Sequence, residues 1–162
     1  MTAFKHSLTR ADERSIRVER EFDAALDLVW RAYSEPELLR RWWGRGHDVA
    51  VERFEFVRGG RWRFVERWDG GSAAFEGRFR EVQPKTLISQ TFEYDGAPGH
   101  PSIETIELVD LGGGRTKVVI TALFLEKADL DAMIEHGMEE GMAQSWEALD
   151  GVLAEVQAGV GS

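Results

Sequence analysis

The feature that most constrains the fold is a long helical pattern near the end of the chain. From residue 130 to residue 156, apolar or small side chains recur at steps of three or four, which places them on one helical face. No proline interrupts residues 127–157. About 30 residues at a rise of 1.5 Å form a rod of roughly 45 Å, long enough to cross a whole sheet. The predicted buried face consists of Leu130, Ile134, Met138, Met142, Ser145, Leu149, Val152 and Val156.

The opposite face of this predicted helix is acidic and is expected to face water. Its members are Glu135, Glu139, Glu140, Glu147, Asp150 and Glu155. The helical region holds nearly all of the chain's net charge of −9, and the rest of the chain is close to neutral. Such a surface disfavours nucleic acids and anionic membranes as partners, although a charged helix face is most often only a solvated one.

Two glycines, Gly137 and Gly141, stand one turn apart inside the predicted helix. Each costs about 1 kcal/mol relative to alanine in a helix interior, so the pair needs a reason. Close approach of the helix to a sheet is one explanation. The other is room for a ligand, because the flexible side chains of Met138 and Met142 stand beside the glycines.

Upstream of the helix, most of the chain alternates with a period of two, which is typical of strands. Ser15–Phe22 predicts a first strand, and residues 26–33 and 35–42 predict two short helices. Six strands joined by glycine-rich turns follow from Val49 to Phe124, with a phase slip at Glu52-Arg53 that predicts a β-bulge. The sequence therefore predicts an α+β fold of order β-α-α-β6-α in one domain over residues 15–158, after a flexible N-terminus at 1–14.

Composition excludes several classes of site. The chain has no cysteine, which rules out disulfides and thiolate chemistry. Its four histidines are scattered, and no phosphate loop, dinucleotide fingerprint or nucleophile elbow occurs, so we expect no metal and no cofactor. No signal-peptide or membrane-spanning pattern is present, which makes a cytoplasmic protein the expectation.

Five segments in this order resemble one known family. They are EPELLRRWWG at residues 35–44, GGRWRF at 59–64, GRFREVQP at 77–84, GGGRTKV at 112–118 and GMAQSWEAL at 141–149. The chain resembles the family named after the activator of the heat-shock-protein-90 ATPase, within the START-like (SRPBCC) superfamily. The resemblance implies a helix-grip fold, in which a curved antiparallel sheet wraps around a long C-terminal helix.

The resemblance also implies a function class. Members of the superfamily bind lipids, polyketides or other hydrophobic small molecules in a cavity between sheet and helix, and some catalyse cyclisation or dehydration. One branch binds a chaperone, which connects the family with stress responses. Binding of a small hydrophobic ligand is the first hypothesis; a cyclase- or dehydratase-like enzyme and a chaperone-interaction module are the alternatives. Whether the protein forms a homodimer stays open.

Candidate ligand-binding residues follow from the strand and helix registers. Aromatic side chains share the predicted inward faces with a few polar groups, a combination typical of apolar binding sites, although aromatic residues also dominate ordinary cores. The candidates are Trp42, Trp43, Trp62, Phe64, Glu66, Trp68, Phe75, Phe79, Gln90, Phe92, Met138, Met142 and Trp146.

Glu66 is the candidate that separates a binder from an enzyme. It alternates with Phe64 and Trp68 on one strand, so its carboxylate faces inward unless the strand end twists outward. An inward carboxylate needs a partner such as an arginine or Gln90. A raised pKa would suit proton transfer, whereas an ion pair would only brace the wall. We expect the ion-paired, non-catalytic arrangement.

Overall fold

The structure, a computed structural model, describes residues 5–159 as one antiparallel sheet packed against helices. In chain order the elements are β1 (Ser7–Arg10), β2 (Ser15–Phe22), α1 (Leu26–Ser34), α2 (Pro36–Leu39), β3 (Asp48–Phe54), β4 (Arg61–Trp68), β5 (Gly71–Gln83), β6 (Leu87–Tyr94), β7 (Ser102–Gly112), β8 (Arg115–Phe124), α3 (Lys127–Glu135) and α4 (Met138–Gln157). The strand order is β1-β2-β8-β7-β6-β5-β4-β3. This is the α+β helix-grip arrangement that the sequence predicts.

The sheet has one more strand than the sequence predicts. Ser7–Arg10 lies within the segment that the sequence analysis assigns to a flexible N-terminus, yet it pairs with β2 from Ser7 opposite Glu19 to Arg10 opposite Ile16. The strand is four residues long and mostly exposed, so its sequence shows no alternation of buried and exposed positions. The predicted slip at Glu52-Arg53 is present as a register shift between Val51 and Arg53.

The predicted single C-terminal helix is wrong, because two helices meet at Gly137. The backbone of Gly137 has φ of +84°, a left-handed conformation that an α-helix cannot continue through and that glycine adopts without strain. Close approach to the sheet does not explain Gly137, since a Cβ there would meet nothing within 4 Å. Upstream of the break, Ile134 is 41% exposed instead of buried.

Helix α4 carries the buried face that anchors the fold. Its buried members are Ser145, Trp146, Leu149, Val152, Leu153 and Val156, and the ring of Trp146 packs edge-on against Phe22 at 5.6 Å. Glu139, Glu140 and Glu147 are exposed, as predicted, whereas Met138 and Met142 are only half-buried. Within residues 5–159, no helix is both long and apolar enough to cross a membrane.

Candidate functional site

The inward face of β4, β5 and β6 is filled by an aromatic cluster centred on Trp43. The ring of Trp43 lies 5.0 Å from Phe64, 5.3 Å from Phe75, 6.2 Å from Trp62 and 6.4 Å from Phe92. Rings at these separations pack favourably in tilted and edge-to-face arrangements. These aromatic residues lie together on the inward face, as the strand alternation predicts, and they occupy the space in which an apolar cavity is predicted.

Three of the predicted ligand-binding aromatic residues, Trp42, Phe79 and Trp68, lie outside the cluster centred on Trp43. Trp42 is buried between the short helices, where its Nε1 donates a hydrogen bond to the carbonyl oxygen of Ala32 at 3.0 Å. Phe79 packs against Phe54 and Phe56. Trp68, predicted to face inward, is 38% exposed. At the last position of β4, its ring lies against the side chains of His47 and Arg45 from the loop before β3.

Five half-buried apolar side chains border the space between the sheet and α4. We call them the apolar rim: Trp43, Phe75, Phe92, Met138 and Met142. Each packs against the buried core on one side and keeps part of its surface accessible on the other. Thioether side chains adapt to irregular shapes, so two of the five can rearrange at small cost.

Glu66 is buried on the inward side of the sheet, 3% exposed, and has an arginine and a histidine as partners. Its Oε2 accepts a hydrogen bond from Arg45 Nε at 2.9 Å, and it lies 2.7 Å from Arg45 Nη2 and 2.6 Å from His47 Nδ1. A buried carboxylate with a charge-assisted pair of this kind is fixed in one orientation. The ion pair therefore braces this part of the inward face. This is the ion-paired arrangement that is expected from the sequence.

The loop that supplies Arg45 is fastened to α4 as well as to β4. Arg45 has φ of +58°, and its backbone N–H donates to Ser145 Oγ at 3.0 Å, while Ser145 Oγ donates to the carbonyl oxygen of Trp43 at 2.8 Å. A methyl group on Gly141 would lie 3.2 Å from Cδ of Arg45. Gly141 therefore allows a close approach, although to a loop side chain and not to the sheet. Sequence reasoning missed Arg45 and His47 because only the folded chain places them beside Glu66.

A second inward carboxylate, Glu104 on β7, was also missed. It stands opposite Gln90 on β6 and Ala122 on β8, between the buried residues Ser102 and Ile106 on its own strand. Gln90 Nε2 donates to Glu104 Oε1 at 2.8 Å. The predicted partnership between Gln90 and Glu66 is thus replaced by one with Glu104. The alternation of Glu104 with Ile106 and Leu108 is the signal that would have found it.

The electrostatic environment of Glu104 differs from that of Glu66. Although the residue keeps partial exposure, burial raises the pKa of the Glu104 carboxyl to about 7, and the hydrogen bond from Gln90 offsets only part of this effect. Nearby on α1, Tyr33 accepts a hydrogen bond from Trp146 Nε1 at 3.3 Å, and burial raises the pKa of its hydroxyl well above the ordinary value. The carboxyl of Glu104 can therefore exchange a proton near neutral pH.

One oxygen of Glu104 remains available to a ligand or to water. Oε2 has no hydrogen-bond partner among residues 5–159. No enclosed side-chain oxygen or nitrogen in that range lacks a partner, so Oε2 must open onto accessible space. The same holds for Gln90 Oε1, since within residues 5–159 that amide forms a side-chain hydrogen bond only through its Nε2. Two acceptor oxygens therefore reach accessible space on the inward side of β6 and β7.

Two grooves lie outside this interior. One of about 390 Å³ runs between α4 and the loop before β3, where Arg41 pairs with Glu155. The other, of about 540 Å³, lies on the outward side of β4, β5 and β6 among arginine and glutamate side chains. Neither is the predicted apolar cavity. The part of the chain that is described contains no cluster of three or more histidine or acidic side chains placed to hold a metal ion.

Comparison with solved structures supports the fold. A crystal structure of a protein from Rhodobacter sphaeroides is similar with a TM-score of 0.84 at 24% identity, over 93% of this chain and 99% of that one. A solution structure from Arthrobacter aurescens has a TM-score of 0.83 at 29% identity, over 92% and 91%. A crystal structure from Chromobacterium violaceum has a TM-score of 0.76 at 26% identity, over 88% and 98%.

Sequence comparison identifies the family. No curated protein sequence matches the chain. A family model described as "Activator of Hsp90 ATPase homolog 1-like protein" matches residues 23–154, from the turn before α1 to near the end of α4. This span includes the apolar rim, both inward carboxylates, helices α1 to α3 and most of α4. The chain therefore belongs to the family of Activator of Hsp90 ATPase homolog 1-like proteins.

Proposed function

We propose that the protein binds a hydrophobic small molecule between the inward face of the sheet and α4. The observation that carries this proposal is that Phe92 of the apolar rim shares the inward face of β6 with Gln90, whose amide is bonded to the carboxyl of Glu104. Sites for small molecules combine mostly apolar walls with a few placed polar groups. The family to which the chain belongs often binds hydrophobic ligands, which supports the same function.

Ligand uptake requires side chains to move, because aromatic rings occupy most of the inward face. Met138 and Met142 are the side chains best suited to move, since they are unbranched and only half-buried. They stand in the first turns of α4, directly after the break at Gly137. We therefore place the route of the ligand between these methionines and the partly exposed rings of Phe75 and Phe92.

Two measurements test the proposal. Native mass spectrometry of protein purified from its own host should detect a bound small molecule. In vitro, decanol should change the intrinsic tryptophan fluorescence in a saturable manner, because Trp43 lies on the apolar rim. Absence of both a bound mass and a saturable signal would contradict the proposal.

A matched pair of variants locates the binding signal. Trp43→Phe should remove a large part of the fluorescence change, since it removes the indole at the rim. Trp68→Phe is the control, because Trp68 is exposed and packs against Arg45 and His47 on the loop side of β4. Equal effects of the two substitutions would place the ligand elsewhere.

A further inference from the structure

Among residues 5–159, one carboxylate on the inward face has no cationic partner. Two arginines that approach this face are each paired with another acid: Arg20 with Asp150 at 2.5 Å and Arg45 with Glu66 at 2.7 Å. Glu104 has no ion pair among residues 5–159, and the side chain bonded to it is the neutral amide of Gln90. An ionised carboxylate in such surroundings is costly without a partner.

Uncharged side chains from the neighbouring elements approach Glu104. Gln90 faces it from β6, Ala122 from β8, and Tyr33 from α1, with Trp146 of α4 bonded to the tyrosine hydroxyl. None of these groups is cationic. Ala122 and Ser102, the small residues beside Glu104 on the inward face, leave more room over the carboxylate than larger side chains would.

The free polar atoms at this position are both hydrogen-bond acceptors. Glu104 Oε2 and Gln90 Oε1 open onto the same inward side of neighbouring strands, and neither accepts a hydrogen bond from the described residues. An ammonium group has three N–H donors and one positive charge, so it can satisfy both oxygens and neutralise the carboxylate at once. A carboxylate ligand would meet repulsion at the same place.

We propose that the binding site selects apolar molecules that carry a primary or secondary ammonium group, held by Glu104 Oε2 and Gln90 Oε1. This inference rests on the proposed function and names the ligand class for it. The apolar part of the ligand contacts the rim, and the ammonium lies over β6 and β7. Glu104 supplies the charge and one acceptor, and Gln90 Nε2 fixes the carboxylate by donating a hydrogen bond to Glu104 Oε1.

A distinctive pH dependence follows from this assignment. Because burial raises the pKa of Glu104 to about 7, the carboxyl is mostly protonated at pH 5.5 and mostly ionised at pH 8.5. An alkylamine stays protonated over this range, as lysine does. Affinity for the amine should therefore rise about 30-fold from pH 5.5 to pH 8.5, the ratio of the ionised fractions of a group with a pKa near 7.

The test uses three probes of equal chain length: decylamine, decanol and decanoate. Binding to the full chain is measured by tryptophan fluorescence and calorimetry at pH 5.5, 7.0 and 8.5. We expect decylamine to gain affinity with pH, decanol to vary less than threefold, and decanoate to weaken. Calorimetry of the wild type in two buffers of different ionisation enthalpy should also detect proton release on decylamine binding near pH 7.

Substitutions assign the effect to Glu104. Glu104→Gln keeps the size of the side chain, and it should lower the ratio of decylamine affinity to decanol affinity at pH 8.5 by at least tenfold and remove the pH dependence of decylamine binding. Glu107→Gln, on the exposed side of the same strand, is the matched control and should change none of these values. The proton-release measurement needs no variant, so a folding defect of Glu104→Gln would leave the test intact.

The outcomes distinguish the two proposals. If decylamine and decanol bind with the same affinity and the same pH dependence, the ammonium assignment is wrong while ligand binding stands. If decanoate binds more tightly as the pH rises, the assignment is also wrong. If none of the three probes binds, the ammonium assignment is overturned, and the proposed function is overturned with it when native mass spectrometry also detects no bound small molecule.

Discussion

Two glutamates on the same inward face of the sheet illustrate opposite ways of burying a carboxylate. Glu66 on β4 is matched by Arg45 and His47, and the loop that carries them is fastened to α4 through Ser145. Glu104 on β7 has only the amide of Gln90, and burial raises the pKa of its carboxyl to about 7. A compensated carboxylate stabilises one geometry, whereas an uncompensated one is a cost until a proton or a ligand neutralises it.

The largest effect that we expect comes from removing the compensated charge. Glu66→Gln should lower the free energy of unfolding by about 3 kcal/mol, because Arg45 and His47 lose their anionic partner. Partial exposure of these two side chains keeps the loss below that of a fully buried pair. Urea denaturation at pH 7 measures the change.

Glu52→Gln is the matched control for this substitution. Glu52 pairs with Arg63 at 3.0 Å on the exposed side of the sheet, where a salt bridge contributes roughly 0.5 kcal/mol. If both variants lose equally little stability, the ion pair of Glu66 does not brace the fold, and the contrast with Glu104 disappears.

The second expected effect is an increase in the free energy of unfolding, caused by removal of the uncompensated charge. In the folded protein the pKa of Glu104 lies above its ordinary value of 4.5, so the folded state binds the extra proton between about pH 4.5 and pH 7. The destabilising contribution of Glu104 is therefore absent below pH 4.5 and complete above pH 7. Glu104→Gln should stabilise the protein by about 2 kcal/mol at pH 8, a value reduced for partial exposure, and by nearly nothing at pH 4.5.

Thermal unfolding of wild type and Glu104→Gln across this pH range measures the effect. Glu107→Gln on the exposed side of β7 should follow the wild type throughout. A Glu104→Gln variant that is less stable than the wild type at pH 8 would mean that the carboxylate is compensated after all, and the two glutamates would then belong to the same class.

The smallest effect separates loop anchoring from charge. Ser145→Ala removes the hydrogen bonds from the backbone of Arg45 and to the carbonyl of Trp43, while it leaves the ion pair of Glu66 in place. We expect a loss of about 1 kcal/mol in the free energy of unfolding. Gln144→Ala, one position away on the exposed side of α4, should cost less than 0.5 kcal/mol. Equal values for the two variants would show that the loop is held by Glu66 alone.

The parts of the site that depend on local periodicity could be predicted from the sequence. Strand alternation places Trp62, Phe64 and Glu66 on one face, and no bulge interrupts β4 to reverse them. Glu104 was accessible to the same reasoning, because it alternates with Ile106 and Leu108, but the polar residues of β7 were not assigned to a face.

Other parts depend on contacts that no local pattern contains. Glu66 meets Arg45 from 21 residues away, and Gln90 meets Glu104 from 14 residues away, so the choice of partner is fixed only when the sheet has formed. Trp68 alternates correctly with the inward residues, but alternation does not tell where the covering layer ends. The sequence pattern does not reveal the break at Gly137, because apolar residues keep the same helical spacing before and after it.

The left-handed residue between α3 and α4 also divides the backbone into two units of local stability. The hydrogen-bond ladder of α4 begins anew after Gly137, and α3 has a single buried side chain, Leu130. Helix α3 can therefore open without disturbing α4, and its amides should exchange with deuterium much faster than those around Trp146 and Leu149. A ligand that contacts Met138 and Met142 would slow exchange at the start of α4 first, which makes the exchange pattern a residue-by-residue record of where the molecule is occupied.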